Sequence, residues 1–195
     1  MTTGIYGGTF SPIHYGHINA AHEFLRQCKL DHLYIIPAAI PPHKRIDDSD
    51  NPDIRYEIVK LAFKDEANIT VSDFEIKSKG LSYTVNTLKY FREQYGADIK
   101  FLCGADMFVT LDKWYKATEI FTLTGIVYVD RGNINIASKA EFFRRTYNAD
   151  ISGIHMPAVD ISSTKLREMI AVGEDVSEFI PPDIVEFIKA HRLYV

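Results

Sequence analysis

The chain reads as an α/β protein in which a mostly parallel sheet carries helices on both faces. Three observations lead there. Short apolar runs alternate with amphipathic helical runs along the sequence, the order that builds strand–helix–strand units. Runs such as residues 33–36 are continuously apolar, as strands covered on both faces require. The polar residues of chemical interest follow predicted strands: His14 and His17, His43 and Lys44, Asp106, Arg131, and Ser162 to Arg167. Ligands of parallel sheets bind beyond the carboxyl ends of the strands, so these residues are expected at one edge.

Residues 3–6 form the first expected strand. Gly7 and Gly8 then turn the chain tightly and bring backbone N–H groups to an anion, and a helix begins near His17 with Ile18, Ala21 and Leu25 on one face. Residues 33–36 are a buried strand, and residues 37–50 a loop containing Pro41-Pro42-His43-Lys44-Arg45. Asn51-Pro52 starts a helix with proline at its first position, and Ile54, Ile58, Leu61 and Ala62 supply its apolar stripe. Residues 69–76 read as extended. Gly80 breaks them, Ser82 caps a helix to about Tyr95, and Gly96 closes it. Strands follow at residues 99–103, 126–129 and 154–156, and helices at 139–147, 163–172 and 182–191. With no repeat, low-complexity segment or linker, all 195 residues are assigned to one domain.

Composition narrows the function. Hydrophobic residues make up 46% and charged residues 25%, as in ordinary globular proteins, and the net charge of −4 argues against a general nucleic-acid binder. Two cysteines without a C-x-x-C pairing point to a reducing compartment, no structural zinc and no disulfide. The first residues have no basic and apolar signal pattern, and no stretch approaches the roughly 20 apolar residues of a membrane span. A cytoplasmic protein without membrane or nucleic-acid partners is the expectation; a homo-oligomer stays open.

No two glycines are separated by one residue, so G-x-G-x-x-G is absent, as is the P-loop pattern. The sharper signal is His14-Tyr15-Gly16-His17 after Gly7-Gly8-Thr9-Phe10. Two imidazoles at a turn and a helix start can donate to phosphate oxygens. In nucleotidyl transfer, charge develops on the equatorial and leaving oxygens, so donors placed there lower the barrier without a covalent nucleophile. A capping histidine beside a packed one is the structural alternative, and a zinc pair lacks a third ligand. In Ile161-Ser162-Ser163-Thr164-Lys165-Leu166-Arg167, one hydroxyl can cap the helix. Two more hydroxyls and two first-turn cations, which oppose the helix dipole, suit a polyphosphate. His43 and Lys44 after two prolines present stiffened donors, whereas Arg45 reads as solvated. Asp106 either caps the helix that follows or accepts from a ribose hydroxyl. Trp114 is either core or a stacking wall beside Lys113 and Tyr115.

Residues 7–17 resemble the G-G-T-F-D-P-I-H-x-G-H signature of bacterial nicotinate-mononucleotide adenylyltransferases, within the H-x-G-H nucleotidyltransferases. The resemblance covers nearly the whole chain: Pro41-Pro42-His43-Lys44 is similar to that family's P-P-H-K loop and residues 82–88 to its S-Y-T-x-x-T-L segment. Gly104-Ala105-Asp106, Trp114, Arg131, residues 161–167 and the ending His191-Arg192-Leu193-Tyr194 follow in family order. It implies a Rossmann-like three-layer sandwich that transfers AMP from ATP to nicotinate mononucleotide, giving deamido-NAD and pyrophosphate, with Mg²⁺ on the phosphates. It implies that His14, His17, Lys44 and Arg167 are catalytic. Gly7, Gly8, Thr9, Phe10, Asp106, Ile161, Ser162, Ser163 and Thr164, with His14, His17 and Arg167, would hold ATP. Lys44, Tyr83, Thr84, Trp114 and Arg131 would hold the mononucleotide; no metal ligand is assigned. The family's Asp after Gly-Gly-Thr-Phe is Ser11 here, which keeps an oxygen and loses a charge. Two other readings remain: the same fold with another acceptor, such as phosphopantetheine or a cytidylyltransferase substrate, and a non-catalytic nucleotide sensor.

Overall fold

A computed structural model describes residues 1–42, 51–130, 136–157 and 159–195. The strands are β1 (Thr3–Gly8), β2 (His32–Pro37), β3 (Ile69–Val71), β4 (Ile99–Cys103), β5 (Gly125–Asp130) and β6 (Ile151–His155). The helices are α1 (Tyr15–Gln27), α2 (Pro52–Ala62), α3 (Phe74–Lys77), α4 (Thr84–Tyr95), α5 (Ala105–Phe108), α6 (Ala117–Leu123), α7 (Ile136–Tyr147), α8 (Ser163–Ala171) and α9 (Pro182–Ala190). The strands form one sheet in the order β3-β2-β1-β4-β5-β6, and every pairing is parallel. The chain winds outward from β1 through β2 to β3, then returns to β4 beside β1 and winds the other way. That reversal opens a crevice between β1 and β4, where an open parallel sheet accepts its ligand.

Period-two alternation divides the strands between two apolar cores. Tyr6, Leu33, Ile35, Leu102, Val127 and Val129 face one core, with Phe24 of α1, Ile58 of α2, Leu166 of α8 and Ile184 of α9. Ile5, Ile36, Phe101, Cys103 and Ile126 face the other, with Leu88 of α4, Phe121 of α6 and Phe143 of α7. The cores therefore lie on opposite faces, which accounts for the continuously apolar strand runs. Cys28 and Cys103 are both free thiols, and burial raises both, Cys103 the more strongly. Among the described residues no helix is long and apolar enough to cross a membrane.

Several boundaries differ from the sequence expectation. Gly7 and Gly8 end β1 opposite Ile36 and Pro37, and the turn falls instead at Phe10, which has φ 52°. The extended run expected over residues 69–76 stops at Val71. There Ser72 Oγ accepts from the Phe74 amide at 3.3 Å and the chain enters α3, with the Phe74 ring stacked 4.1 Å from Tyr90. Ser82 does not cap α4. The N-cap is Tyr83, and Ser82 Oγ accepts from the Ala39 amide at 2.8 Å. The last strand begins at Ile151, earlier than residue 154. The short helix α6 was not expected; it starts after Lys116, whose φ of 54° is left-handed. Asp106 sits in the first turn of α5 and Gly104 is its N-cap, so a capping role for Asp106 is not observed.

The ring cluster of α6 and α7 offers a stability test. Phe143 is fully buried, 5.2 Å from Phe108 and 4.8 Å from Phe121 by ring centroids, whereas neighbouring Phe142 is 43% exposed. Phe143→Ala is expected to cost about 3–5 kcal/mol in urea unfolding, and Phe142→Ala less than about 1 kcal/mol.

Candidate active site

The site begins where β1 ends. His14 is the N-cap of α1, with extended backbone, and its imidazole folds back so that Nδ1 accepts from the Gly16 amide at 3.1 Å. A ring nitrogen that accepts carries no proton, so in this tautomer the proton is on Nε2, which becomes a donor. Space for the fold-back depends on glycine: a Cβ at position 16 would lie 2.9 Å from His14 Cε1 and Nδ1. His17 occupies the first turn of α1, its ring centroid 3.8 Å from that of His14 at a 37° tilt. The Phe10 ring meets His17 edge-on at 5.2 Å and Tyr6 at 5.4 Å, and so wedges His17 against the core. Phe10 itself covers Gly8, where a Cβ would fall 2.6 Å from its ring. Gly8 is thus needed for packing space. Both structural expectations for the histidines hold: His14 caps and His17 packs, and the cap is what orients the donor.

The first-turn amides of α1 are already engaged. Tyr15 N–H donates to Phe179 at 2.9 Å, Gly16 N–H to His14 Nδ1 and His17 N–H to the His14 carbonyl at 2.8 Å. The helix start therefore presents imidazoles rather than open amides, with the helix dipole behind them.

Helix α8 closes one side. Ser162 is its N-cap and accepts from the Lys165 amide at 3.2 Å. Ser163 Oγ donates to the Pro12 carbonyl at 3.0 Å, Arg167 Nη1 donates to the Ser11 carbonyl at 2.7 Å, and Nη2 reaches Thr164 Oγ1 at 3.4 Å. The hydroxyl-rich sequence thus divides its work: one hydroxyl caps, one ties α8 to the loop before His14, and one meets Arg167. Ile161 is buried in the core, so its side chain is taken up by packing.

Across the crevice, Asp106 is exposed at the start of α5, just beyond β4. Tyr83 and Thr84 stand at the start of α4. The Tyr83 ring lies 4.4 Å from Tyr115, while Trp114 packs edge-on toward Phe101 at 6.4 Å. Tyr115, mentioned from sequence only as a neighbour of Trp114, is thus the observed ring partner of Tyr83. His43, Lys44, Arg45 and Arg131 lie outside the described residues.

Sequence reasoning missed Arg55 and Glu75. Arg55 in α2 is fully buried; Nη1 donates to the carbonyls of Thr9 at 2.9 Å and Ala38 at 2.6 Å, and Nη2 to that of Ala39 at 3.1 Å. Glu75 in α3 is buried and accepts from Thr87 Oγ1 at 2.5 Å. Burial pushes its carboxyl above the usual range, against hydrogen bonds from Thr87 and Ser82 and the charge of Arg55. The signal for Arg55 was its spacing: it precedes Ile58 by three and Val59 by four, on the face that α2 buries.

Residues 5–169 match the family described as cytidylyltransferase-like. A Clostridium botulinum (strain Hall) protein named "Probable nicotinate-nucleotide adenylyltransferase" is 40% identical over 199 residues, covering 100% of this chain and 99% of the relative. A protein of the same name from Clostridium perfringens (strain SM101) is 37% identical, over 98% and 96% of the two chains. The solved structure of Plasmodium falciparum nicotinic acid mononucleotide adenylyltransferase complexed with NaAD superposes with a TM-score of 0.83, covering 99% and 97%. At 19% identity it speaks to the fold alone.

The His14 geometry can be checked directly. Gly16→Ala is expected to push the imidazole off the Gly16 amide. The ¹⁵N resonance of His14 Nδ1 would then lose its hydrogen-bonded acceptor position, while far-UV circular dichroism stays that of the wild type. An unchanged Nδ1 resonance would show that the ring does not depend on that glycine.

Proposed function

The chain belongs to the cytidylyltransferase-like family, and from that premise we propose that its site transfers the adenylyl group of ATP to nicotinate mononucleotide. The observation that carries this reading is the His14–His17 pair, set ring against ring at a 37° tilt beyond the end of β1, with its donor fixed by the Gly16 amide. The full-length relatives named nicotinate-nucleotide adenylyltransferase supply the acceptor.

A 5′-phosphate oxygen of the mononucleotide attacks the α-phosphorus of ATP. A new P–O bond forms, the bond from the α-phosphorus to the α,β-bridging oxygen breaks, and pyrophosphate leaves with that electron pair. The products are deamido-NAD and pyrophosphate. His14 Nε2–H and His17 would donate to the phosphate oxygens that gain charge, at positions fixed before substrate arrives. Arg167 and Ser163, anchored on the Ser11 and Pro12 carbonyls, would set the triphosphate side. Gly7, Gly8, Thr9 and Phe10 would meet the nucleotide through their main chain, Asp106 the adenosine ribose, and Thr164 with Ser162 the phosphates. Lys44 and Arg131 are assigned to the mononucleotide side on resemblance alone. Mg²⁺ would enter with ATP. Among the described residues no group of three or more His, Cys, Asp or Glu gathers to hold a metal, and no protein ligand is assigned to the ion.

Tyr83, Thr84 and Trp114 would receive the pyridine ring, with Tyr115 beside Tyr83. Tyr83 makes no side-chain capping bond at the start of α4. A nicotinate carboxylate would take that capping place and gain from the helix dipole, where a carboxamide gains less.

Pyrophosphate release by the purified protein with Mg-ATP and, separately, nicotinate mononucleotide, nicotinamide mononucleotide and phosphopantetheine tests the proposal. Release with the first is expected, with kcat/KM about tenfold above that for the amide, the size of a charge-assisted difference of about 1–2 kcal/mol. Equal values would remove the carboxylate argument, and release only with another acceptor would overturn the substrate. ATP binding with no release would make the protein a sensor. His17→Ala is expected to lower kcat by about 10²–10³-fold with an unchanged fold, as for loss of a preorganised donor. Near-normal turnover in the folded variant would remove this mechanism.

A further inference from the structure

Arg55 and Glu75 form a buried polar link among the loop after β1, the loop after β2 and the start of α4. Through one guanidinium, Arg55 holds the Thr9 carbonyl, beyond the end of β1, and the Ala38 and Ala39 carbonyls, beyond the end of β2. The Ala39 amide donates to Ser82 Oγ at 2.8 Å, the Ser82 amide donates back to the Ile40 carbonyl at 2.8 Å, and Ile40 bridges Leu81. The Ser82 hydroxyl also bonds Glu75, which accepts from Thr87 within α4. The chain of contacts runs from the loop that carries His14, through Arg55, to the loop after β2, and from there to Ser82 and the start of α4.

Three features separate this from ordinary core support. A buried charge is costly, and an apolar residue of similar size would pack α2 without that cost. The three carbonyls belong to ligand loops, where a planar fork can hold several acceptors at once and a lysine ammonium cannot hold the same geometry. Glu75 meets α4 within its first turns, close to the residues assigned to the pyridine ring.

We propose that Arg55 and Glu75 are positioning residues that fix the ATP half of the site against the mononucleotide half; this rests on the adenylyltransferase reading. Each substrate can dock on its own half when the link loosens, but the acceptor oxygen then loses its line on the α-phosphorus. A misplacement of about 1 Å costs on the order of 10²-fold in rate.

The test compares wild type, Arg55→Lys, Glu75→Gln and the double variant. Thermal unfolding establishes the folded fraction. Calorimetry gives Kd for a non-hydrolysable Mg-ATP analogue and for nicotinate mononucleotide, each alone, and pyrophosphate release gives kcat per folded molecule. Arg55→Lys is expected to lower kcat by about 10–100-fold while both Kd values stay within about threefold. Glu75→Gln, which keeps the shape and an acceptor for Thr87, is expected to lower kcat in the same direction, and the double variant to lose less than the product of the two. Unchanged kcat in folded Arg55→Lys would overturn the proposal, as would a kcat loss matched by weakened binding of one substrate alone. If Arg55→Lys does not fold, Glu75→Gln decides; if neither folds, the pair is structural support and the proposal fails. An active wild type separates these outcomes from failure of the underlying reading: a wild type that releases no pyrophosphate removes that reading and the proposal with it.

Discussion

The hydrogen bond from the Gly16 amide to His14 Nδ1 is the contact on which the site depends. It closes the start of α1, fixes which imidazole nitrogen carries the proton, and sets the ring against His17. One bond therefore joins helix termination to donor chemistry. Its condition is steric, because only a residue without a Cβ leaves room for the folded-back ring. The spacing H-x-G-H follows from this: the first histidine caps, the glycine two residues on supplies the amide and the space, and the next histidine stands in the first turn facing the first.

The surrounding loops are held mostly by their main chain. Arg55 grips the carbonyls of Thr9, Ala38 and Ala39, Arg167 that of Ser11, and Ser163 that of Pro12. Carbonyls are present whatever the loop sequence, so the grip constrains the path of the loop and leaves its side chains for ligand. The cost falls on the gripping residues, which must be long, charged and correctly rooted in α2 and α8. Such anchors act from helices packed against the sheet, so the rigidity of the cores is transmitted to the crevice.

The alternation of elements, the buried strands and the placing of His14 and His17 together just beyond the end of β1 were legible from periodicity and spacing. Each rests on local pattern. What was not legible depended on contacts between distant residues. Serine before a helix usually caps it, but the partners of Ser82, Ala39 and Glu75, lie 43 and 7 residues away. Gly7 and Gly8 were read as a turn, but sheet pairing with β2 carries them to its edge and Phe10 takes the left-handed conformation. Arginine is ordinarily a surface residue, yet Arg55 lies on the face that α2 buries. The roles given to Lys44 and Arg131 came from resemblance, and those positions lie outside the described residues.

Ser11 can be judged on the same physical terms. It is buried, and the Arg167 contact at this position uses the Ser11 carbonyl, which an aspartate would offer equally. The clasp between α8 and the loop before His14 is thus independent of the exchanged side chain. An aspartate here would put a buried charge in the very residue whose carbonyl the part-buried Arg167 holds. Serine lowers the desolvation cost of the loop and leaves the guanidinium charge less compensated. The exchange therefore leaves this wall of the pocket more positive while the His14 geometry, set by Gly16, stays as it is.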